Sequence, residues 1–371
     1  MNKLEALLFT GKCLTLGKYP GRISEVRDTI SKGAVEWEKI VWTSTSHLVF
    51  PALYIQLERA GLLPLLPSDL VAYMEEFTSM NRDRNQQIIG QAKELTILLN
   101  RHGFSPVFLK GTAQLLSGLY TDIAERMVGD IDFLVFEKDL EGTAEVLLDA
   151  GYKPLYANIP ENVRVQKHYS RLVKDERIAA VEIHHQVFAF PDNKLLDTDL
   201  IIPASRKLEI KGNAYIPCTE HQVIYNILNV QLSEKGFYYG RFRLSQLYDL
   251  LHLSANTDLP LLIENYGKSV HQLKSNLALA NRLLGFPQTL PVQMSLREKY
   301  YVSRVVHKVN SPRRARFSES VLYFAMRFFN IFRQLGYSLF NQKMRKSAWR
   351  RMSDPTWYRE HLRSYTRKKE G

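Results

Sequence analysis

Gly129-Asp130-Ile131-Asp132-Phe133-Leu134-Val135 sets two carboxylates two positions apart inside an apolar run. Side chains of a β-strand alternate between faces, so Asp130 and Asp132 share one face while Ile131, Phe133 and Val135 turn to a core on the other. Two like charges on one face repel, and each is expected to raise the pKa of the other. A strand end with such a pair offers oxygen ligands to a hard divalent cation, Mg2+ first and Mn2+ as the alternative. Metal-assisted phosphate chemistry is therefore the leading expectation.

The flanking sequence supplies what that chemistry needs. Residues 106–111 read as a short buried strand closed by the turn Lys110-Gly111, and residues 112–120 as a helix with Leu115, Leu116 and Leu119 at helical spacing. A glycine turn entering a helix presents backbone N–H groups to a phosphate. Downstream, residues 138–151 read as an amphipathic helix stopped by Gly151. Residues 163–173 and 178–187 read as two strands joined by the polar turn Lys174-Asp175-Glu176-Arg177. Glu182 lies in the second of them, within Ala179-Ala180-Val181-Glu182-Ile183-His184-His185, where a charge without a task is costly. An antiparallel neighbour of the Asp130 strand would set Glu182 across from the pair as a third acid. His184 shares its face and His185 does not, so the two histidines cannot readily chelate one ion together. His102, His168, His221 and His252 have no recognisable spacing and read as structural.

On both sides of this segment the pattern is helical. An apolar stretch over residues 48–61 ends at Gly61, and Ser68-Asp69 can cap a long helix over about 70–99. Residues 220–232, 242–253 and 259–284 each carry an apolar stripe. The expected class is α+β, a small mixed sheet with helices before and after it. Four regions follow: a helical one over 1–100, the sheet over 101–215, a second helical one over 216–310 and a tail over 311–371.

Composition bounds the function. A hydrophobic fraction of 45% is that of a globular chain, and at 371 residues it is long enough for two domains. Cys13 and Cys218 lack metal-ligand spacing, so a reduced, cytoplasmic protein is the simpler expectation, with one disulfide as the alternative. Of the net charge of +12, residues 311–371 hold +11, from 15 basic and 4 acidic side chains. The rest is balanced at 35 basic and 34 acidic residues. The tail fits two anionic partners, nucleic acid phosphates or a membrane surface met by the apolar segment 317–340. The second would place the protein at the inner face of the membrane. No run of about twenty uncharged apolar residues reads as a membrane span.

Leu109-Lys110-Gly111, Leu119-Tyr120, Arg126, Gly129 to Val135, Gly151-Tyr152 and Glu182-Ile183-His184 together resemble the signature of an uncharacterised nucleotidyltransferase family of the DNA polymerase β superfold. The resemblance runs from about residue 47 to 253 and takes in Pro51-Ala52-Leu53-Tyr54 and the helix Arg243 to Leu250. It implies transfer of a nucleoside monophosphate from an NTP, ATP among them, to an acceptor, with release of pyrophosphate. Asp130 and Asp132 would then hold two metals, and Glu182 the one that activates the acceptor. Gly111 and Thr112 would contact the β- and γ-phosphates, with Lys110 and Arg126 as cations for the triphosphate. The chain departs from the family in having Glu182 where Asp is common, His185 where an aromatic is common, and Gln231 where a His is common. A small metabolite, a protein side chain and an RNA end all fit as acceptor. The rival expectation is a scaffold that keeps the fold without catalysis and binds nucleic acid or membrane through its tail.

Overall fold

The computed structural model describes residues 1–155, 167–189, 192–285, 294–311, 319–322 and 324–325. Met1–Asn310 forms one compact unit, and the chain from Ser311 onward belongs to another. Residues 287–291, which the prolines mark as a linker, and most of the apolar segment 317–340 lie outside the described residues.

Five helices open the chain: α1 (Lys3–Cys13), α2 (Arg22–Ser31), α3 (Trp37–Ser46), α4 (Phe50–Arg59) and α5 (Ser68–Arg101). The long helix begins after Pro67, which serves as its N-cap, and no side-chain cap from Ser68 or Asp69 forms. Then come β1 (Val107–Phe108), α6 (Lys110–Leu116), β2 (Asp130–Leu134), α7 (Leu140–Asp149), β3 (Lys153–Pro154), β4 (Leu172–Val173) and β5 (Ala180–His184). After them lie α8 (Thr198–Ile201), β6 (Arg206–Lys207) and β7 (Tyr215–Ile216). The remaining helices are α9 (Thr219–Leu228), α10 (Gly236–Tyr239), α11 (Leu244–Leu253), α12 (Leu259–Asn265), α13 (Val270–Leu284) and α14 (Leu296–Asn310). The stretch expected as one helix over 259–284 is broken at Tyr266–Ser269, where Gly267 sits in a short 3-10 turn.

The seven strands form one mixed sheet in the order β3-β4-β5-β2-β1-β7-β6. β3, β6 and β7 have no counterpart in the sequence reading, because each is only two residues long and shows no alternation. One expectation is corrected: β5 runs parallel to β2, with Asp132 opposite Glu182 and Leu134 opposite His184. The chain between them passes through α7 and returns by β4, which is itself antiparallel to β5. Such a crossover makes a parallel pair, whereas an antiparallel neighbour needs only a hairpin.

The alternation of β2 divides the interior. Ile131, Phe133 and Val135 pack with Ile88, Leu95 and Leu99 of α5 and with Leu140, Ala144 and Leu147 of α7. Leu134 turns the other way, into the core made by the first and last helices. Those flanks are one body, because α1 lies directly on α13. A Cβ on Gly11 would stand 2.0 Å from the Leu283 carbonyl oxygen, so only glycine permits the approach. The carboxylate face of β2 is thereby turned toward the C-terminal helices.

Candidate metal and nucleotide site

Backbone register brings the acids together. Asp130 and Asp132 stand on one face of β2, and parallel pairing sets Glu182 beside Asp132 and His184 one pair further along the same face. β1 is clamped to the same strand, since the Leu109 N–H donates to the Asp132 carbonyl at 2.9 Å. The Thr112 hydroxyl donates to the Asp130 carbonyl at 3.2 Å, so α6 starts against the carboxylates.

Each acid has a cation. Lys110 donates its Nζ to Asp132 Oδ1 at 2.6 Å, and His184 Nε2 lies 2.8 Å from the same oxygen. Lys110 adopts a left-handed backbone (φ +50°), a strained choice for a side chain with a Cβ, held where the strand turns into the helix. Arg171 spans the other two acids. Its Nη2 is 2.7 Å from Asp130 Oδ2 and 2.8 Å from Glu182 Oε1, and its Nε donates to Glu182 Oε1 at 2.9 Å.

These contacts set the charge states. Burial raises the pKa of Asp130, and repulsion from Asp132 adds to it. Asp132 corrects the expectation that both acids would rise. Burial opposes its ionisation, but Lys110 and the bond to His184 hold it well below the usual carboxylate range. For Glu182 burial is again outweighed, by the His184 bond and Lys110, and the pKa falls to about 2. Burial alone would lower the pKa of Lys110; the facing Tyr225, Asp132 and Glu182 raise it instead. Asp132 and Glu182 are thus held in their ionised forms, while the surroundings of Asp130 work against its charge.

Asp132, Glu182 and His184 each offer one ligand atom, and these atoms lie within 4.8 Å of one another. Two carboxylates and an imidazole make a donor set that a divalent cation accepts, so the group could hold a metal. Asp130, turned to Arg171, stands beside this group and not within it.

The other expected nucleotide contacts are placed as follows. Gly111 packs against Val128, whose Cγ2 would lie 2.8 Å from an added Cβ. Arg126 does not pair with Glu125 or Asp122. It reaches Asp249 of α11 at 2.9 Å (Nε to Oδ1), while Glu125 takes Arg59 and Asp122 takes Arg82. Lys110 and Arg126 line one cleft, with α9 and α11 as its far wall.

Arg171, Lys167 and His168 escaped the sequence reading. The His168 ring lies 5.1 Å from that of His184, so His168 belongs to the site and not to a distant part of the structure. Lys167 has a lowered pKa from burial and from the nearby Lys110. A signal for Arg171 existed. With the turn at 174–177 fixed, antiparallel pairing of Leu172 with Val181 puts Arg171 beside Glu182, an opposite-charge cross-strand pair.

Both cysteines are free thiols, and among the described residues no helix is long and apolar enough to cross a membrane. No curated protein and no solved structure matches the chain at a significant level. Residues 33–286 match the family described as uncharacterised nucleotidyltransferase, a span that holds the sheet, the three acids, Lys110, Arg126 and Arg171. The chain therefore belongs to that nucleotidyltransferase family.

Proposed function

We propose that the protein transfers a nucleoside monophosphate from an NTP to an acceptor hydroxyl and releases pyrophosphate. The observation that carries this reading is the pairing of Asp132 with Glu182 across parallel strands, with Asp130 on the same face and Lys110 against Asp132. Three carboxylates on one sheet face, each already matched to a cationic side chain, form a site built to exchange cations. Asp132 and Glu182, with Asp130 beside them on the same face, would hold the divalent cation, Mg2+ or Mn2+, which supplies charge neutralisation on the phosphates when bound. His184 fixes the orientation of Asp132.

With a divalent cation on the carboxylates, Lys110 and Arg171 would be free to neutralise the triphosphate. Arg126, anchored by Asp249, holds its guanidinium on the cleft wall as the further cation. Gly111 and Thr112 bring the first turn of α6 to the β- and γ-phosphates. An acceptor oxygen attacks the α-phosphorus in line. The new oxygen–phosphorus bond forms as the bond to the β-phosphate oxygen breaks, and pyrophosphate leaves. The hydroxyl proton passes out on the Glu182 side.

The test is a screen of the purified full chain with α-labelled NTPs, Mg2+ and cell extract, asking which fraction gains label. A labelled product that disappears with Asp132→Asn supports the reading. Equal labelling by wild type and Asp132→Asn would overturn it.

A further inference from the structure

Three cations at the carboxylate face are paired: Lys110 with Asp132, Arg171 with Asp130 and Glu182, and Arg126 with Asp249. Lys167 is a fourth, close enough to feel the charges of Lys110, Asp132 and Glu182. Among the described residues it has neither a hydrogen-bond nor an ion-pair partner. The residue is part-buried, and its Nζ still reaches solvent.

The backbone fixes it in place. The Lys167 carbonyl accepts from the His185 N–H at 3.1 Å and from the Gln186 N–H at 3.2 Å. His168 forms an antiparallel bridge to His184, and the Tyr169 N–H donates to the Ile183 carbonyl at 2.8 Å. Lys167 is thus clamped to the end of β5, on the edge of that strand away from β2.

An unpaired ammonium in this position destabilises the fold. Burial disfavours its charge and Lys110 repels it, while Asp132, Glu182 and Glu234 offset only part of the effect. An anion against Nζ would relieve both, and a lysine is a point charge suited to phosphate. Position shows which anion. The first turn of α6, to which the β- and γ-phosphates are assigned, follows β1. In the order β5-β2-β1 that strand lies beyond β2, roughly 10 Å across the sheet from β5. Lys167 stands instead on the Glu182 side, where the acceptor hydroxyl enters. One ammonium matches one anionic group, whereas a nucleic acid strand needs a basic groove that tracks its backbone.

We propose that Lys167 binds the acceptor, and that the acceptor is a small molecule with an anionic group, phosphate or carboxylate, beside its hydroxyl. The inference rests on the reading of the carboxylates as an NTP site, and it adds the class of compound that receives the nucleotide. A neutral alcohol would leave Lys167 without a counter-charge.

The small-molecule filtrate of a cell extract, split on an anion-exchange resin, supplies the acceptor for a labelling assay with the full chain, Mg2+ and α-labelled NTPs. Acceptor activity is expected in the retained fraction, and phosphatase treatment of that fraction tells phosphate from carboxylate. Lys167→Met should raise the KM for this fraction about tenfold, the loss expected of one charge-assisted hydrogen bond, and leave the NTP KM within about twofold. Lys167→Arg keeps the charge and should recover most of the affinity. Lys167→Met should also melt no earlier than wild type, because it removes an unpaired, part-buried charge. Acceptor activity in the unretained fraction alone, or an unchanged acceptor KM in Lys167→Met, would overturn the anion subsite. If no fraction gains label, calorimetric titration of inorganic phosphate into the full chain without Mg2+ separates the two readings. Lys110 and Arg171 are then held by their carboxylates, and Lys167 is the open cation. Phosphate binding that is lost in Lys167→Met and kept in Lys167→Arg retains the anion subsite and removes the NTP reading alone. Binding that is absent, or equal in all three chains, removes both.

Discussion

At the scale of single residues, the two aspartates that look alike in sequence have opposite energetics. Asp130 is raised in pKa by burial and by Asp132, so its charge is a burden to the fold, and Arg171 still has Glu182 if Asp130 is neutralised. Asp132 is the counter-charge of Lys110, whose side chain is 28% exposed. In urea denaturation with EDTA present, Asp130→Asn is expected to change stability by less than about 0.5 kcal/mol. Asp132→Asn is expected to cost about 1–3 kcal/mol, less than for a fully buried pair because water still reaches the lysine. Equal effects of the two variants would show that Lys110 does not depend on Asp132. Gly111 is a second case where the residue type has a local cause. An added methyl would lie 2.8 Å from Val128 Cγ2, so Gly111→Ala should destabilise by about 1–3 kcal/mol through overpacking. Val128→Ala in the same chain should recover part of that loss. A Gly111→Ala chain as stable as wild type would place the need for glycine elsewhere.

Among elements, the junction of the sheet with α11 rests on a buried ion pair that crosses from one region of sequence to another. Arg126 leads into β2, Asp249 belongs to α11, and the Tyr120 hydroxyl donates to the same carboxylate. Asp249 is 1% exposed, and burial raises its pKa against the pull of Arg126. Removing the acid would strand a guanidinium in a poorly solvated place. Asp249→Ala is therefore expected to cost about 3–5 kcal/mol, measured by urea denaturation. Replacement of both partners, Arg126→Met with Asp249→Leu, should cost less than Asp249→Ala alone, because it leaves no unpaired charge. If the double variant were the less stable of the two, the bond would be holding the junction by more than charge compensation.

For the whole molecule, two half-buried imidazoles couple stability to acidity. Burial lowers the pKa of His47 from 6.5 to about 4, with Arg243 adding to the effect. His252 lies against the rings of Tyr120 and Tyr248 and falls from 6.5 to about 4, chiefly by burial. Between those values these two groups bind more protons in the unfolded chain than in the folded one, so their contribution to stability drops as pH falls from 6.5 to about 4. Below that the depressed carboxylates Asp132 and Glu182 carry the loss further. Thermal melts across that window should show the loss, and His252→Leu should make the slope shallower. A slope unchanged by that variant would assign the acid lability to other groups. The tail gives the other test at this scale, since Met1–Asn310 is a unit by itself. A chain ended after Asn310 is expected to keep the wild-type melting temperature and its shift with Mg2+. Precipitation of that fragment would mean that the unit needs the residues beyond.

How much of this was legible in the sequence depended on whether the cause was local. Alternation along β2 assigned Asp130 and Asp132 to one face and Ile131, Phe133 and Val135 to the other, because side-chain direction follows from the backbone itself. Gly151, at φ +88°, ends α7 for a comparable reason. The tertiary structure decided the rest. Parallel pairing of β5 with β2 was not readable from either strand, since the direction of a partner depends on the path of the chain between them. Arg126 found Asp249 and not the adjacent acids, and Arg171 joined Asp130 to Glu182, because an ion pair forms where burial removes competing water. The cleft lined by Lys110 and Arg126 belongs wholly to this second kind. Its walls come from α6, α9 and α11, and only the packing of helices against the carboxylate face of the sheet brings Lys110, Asn229 and Gln246 to one space.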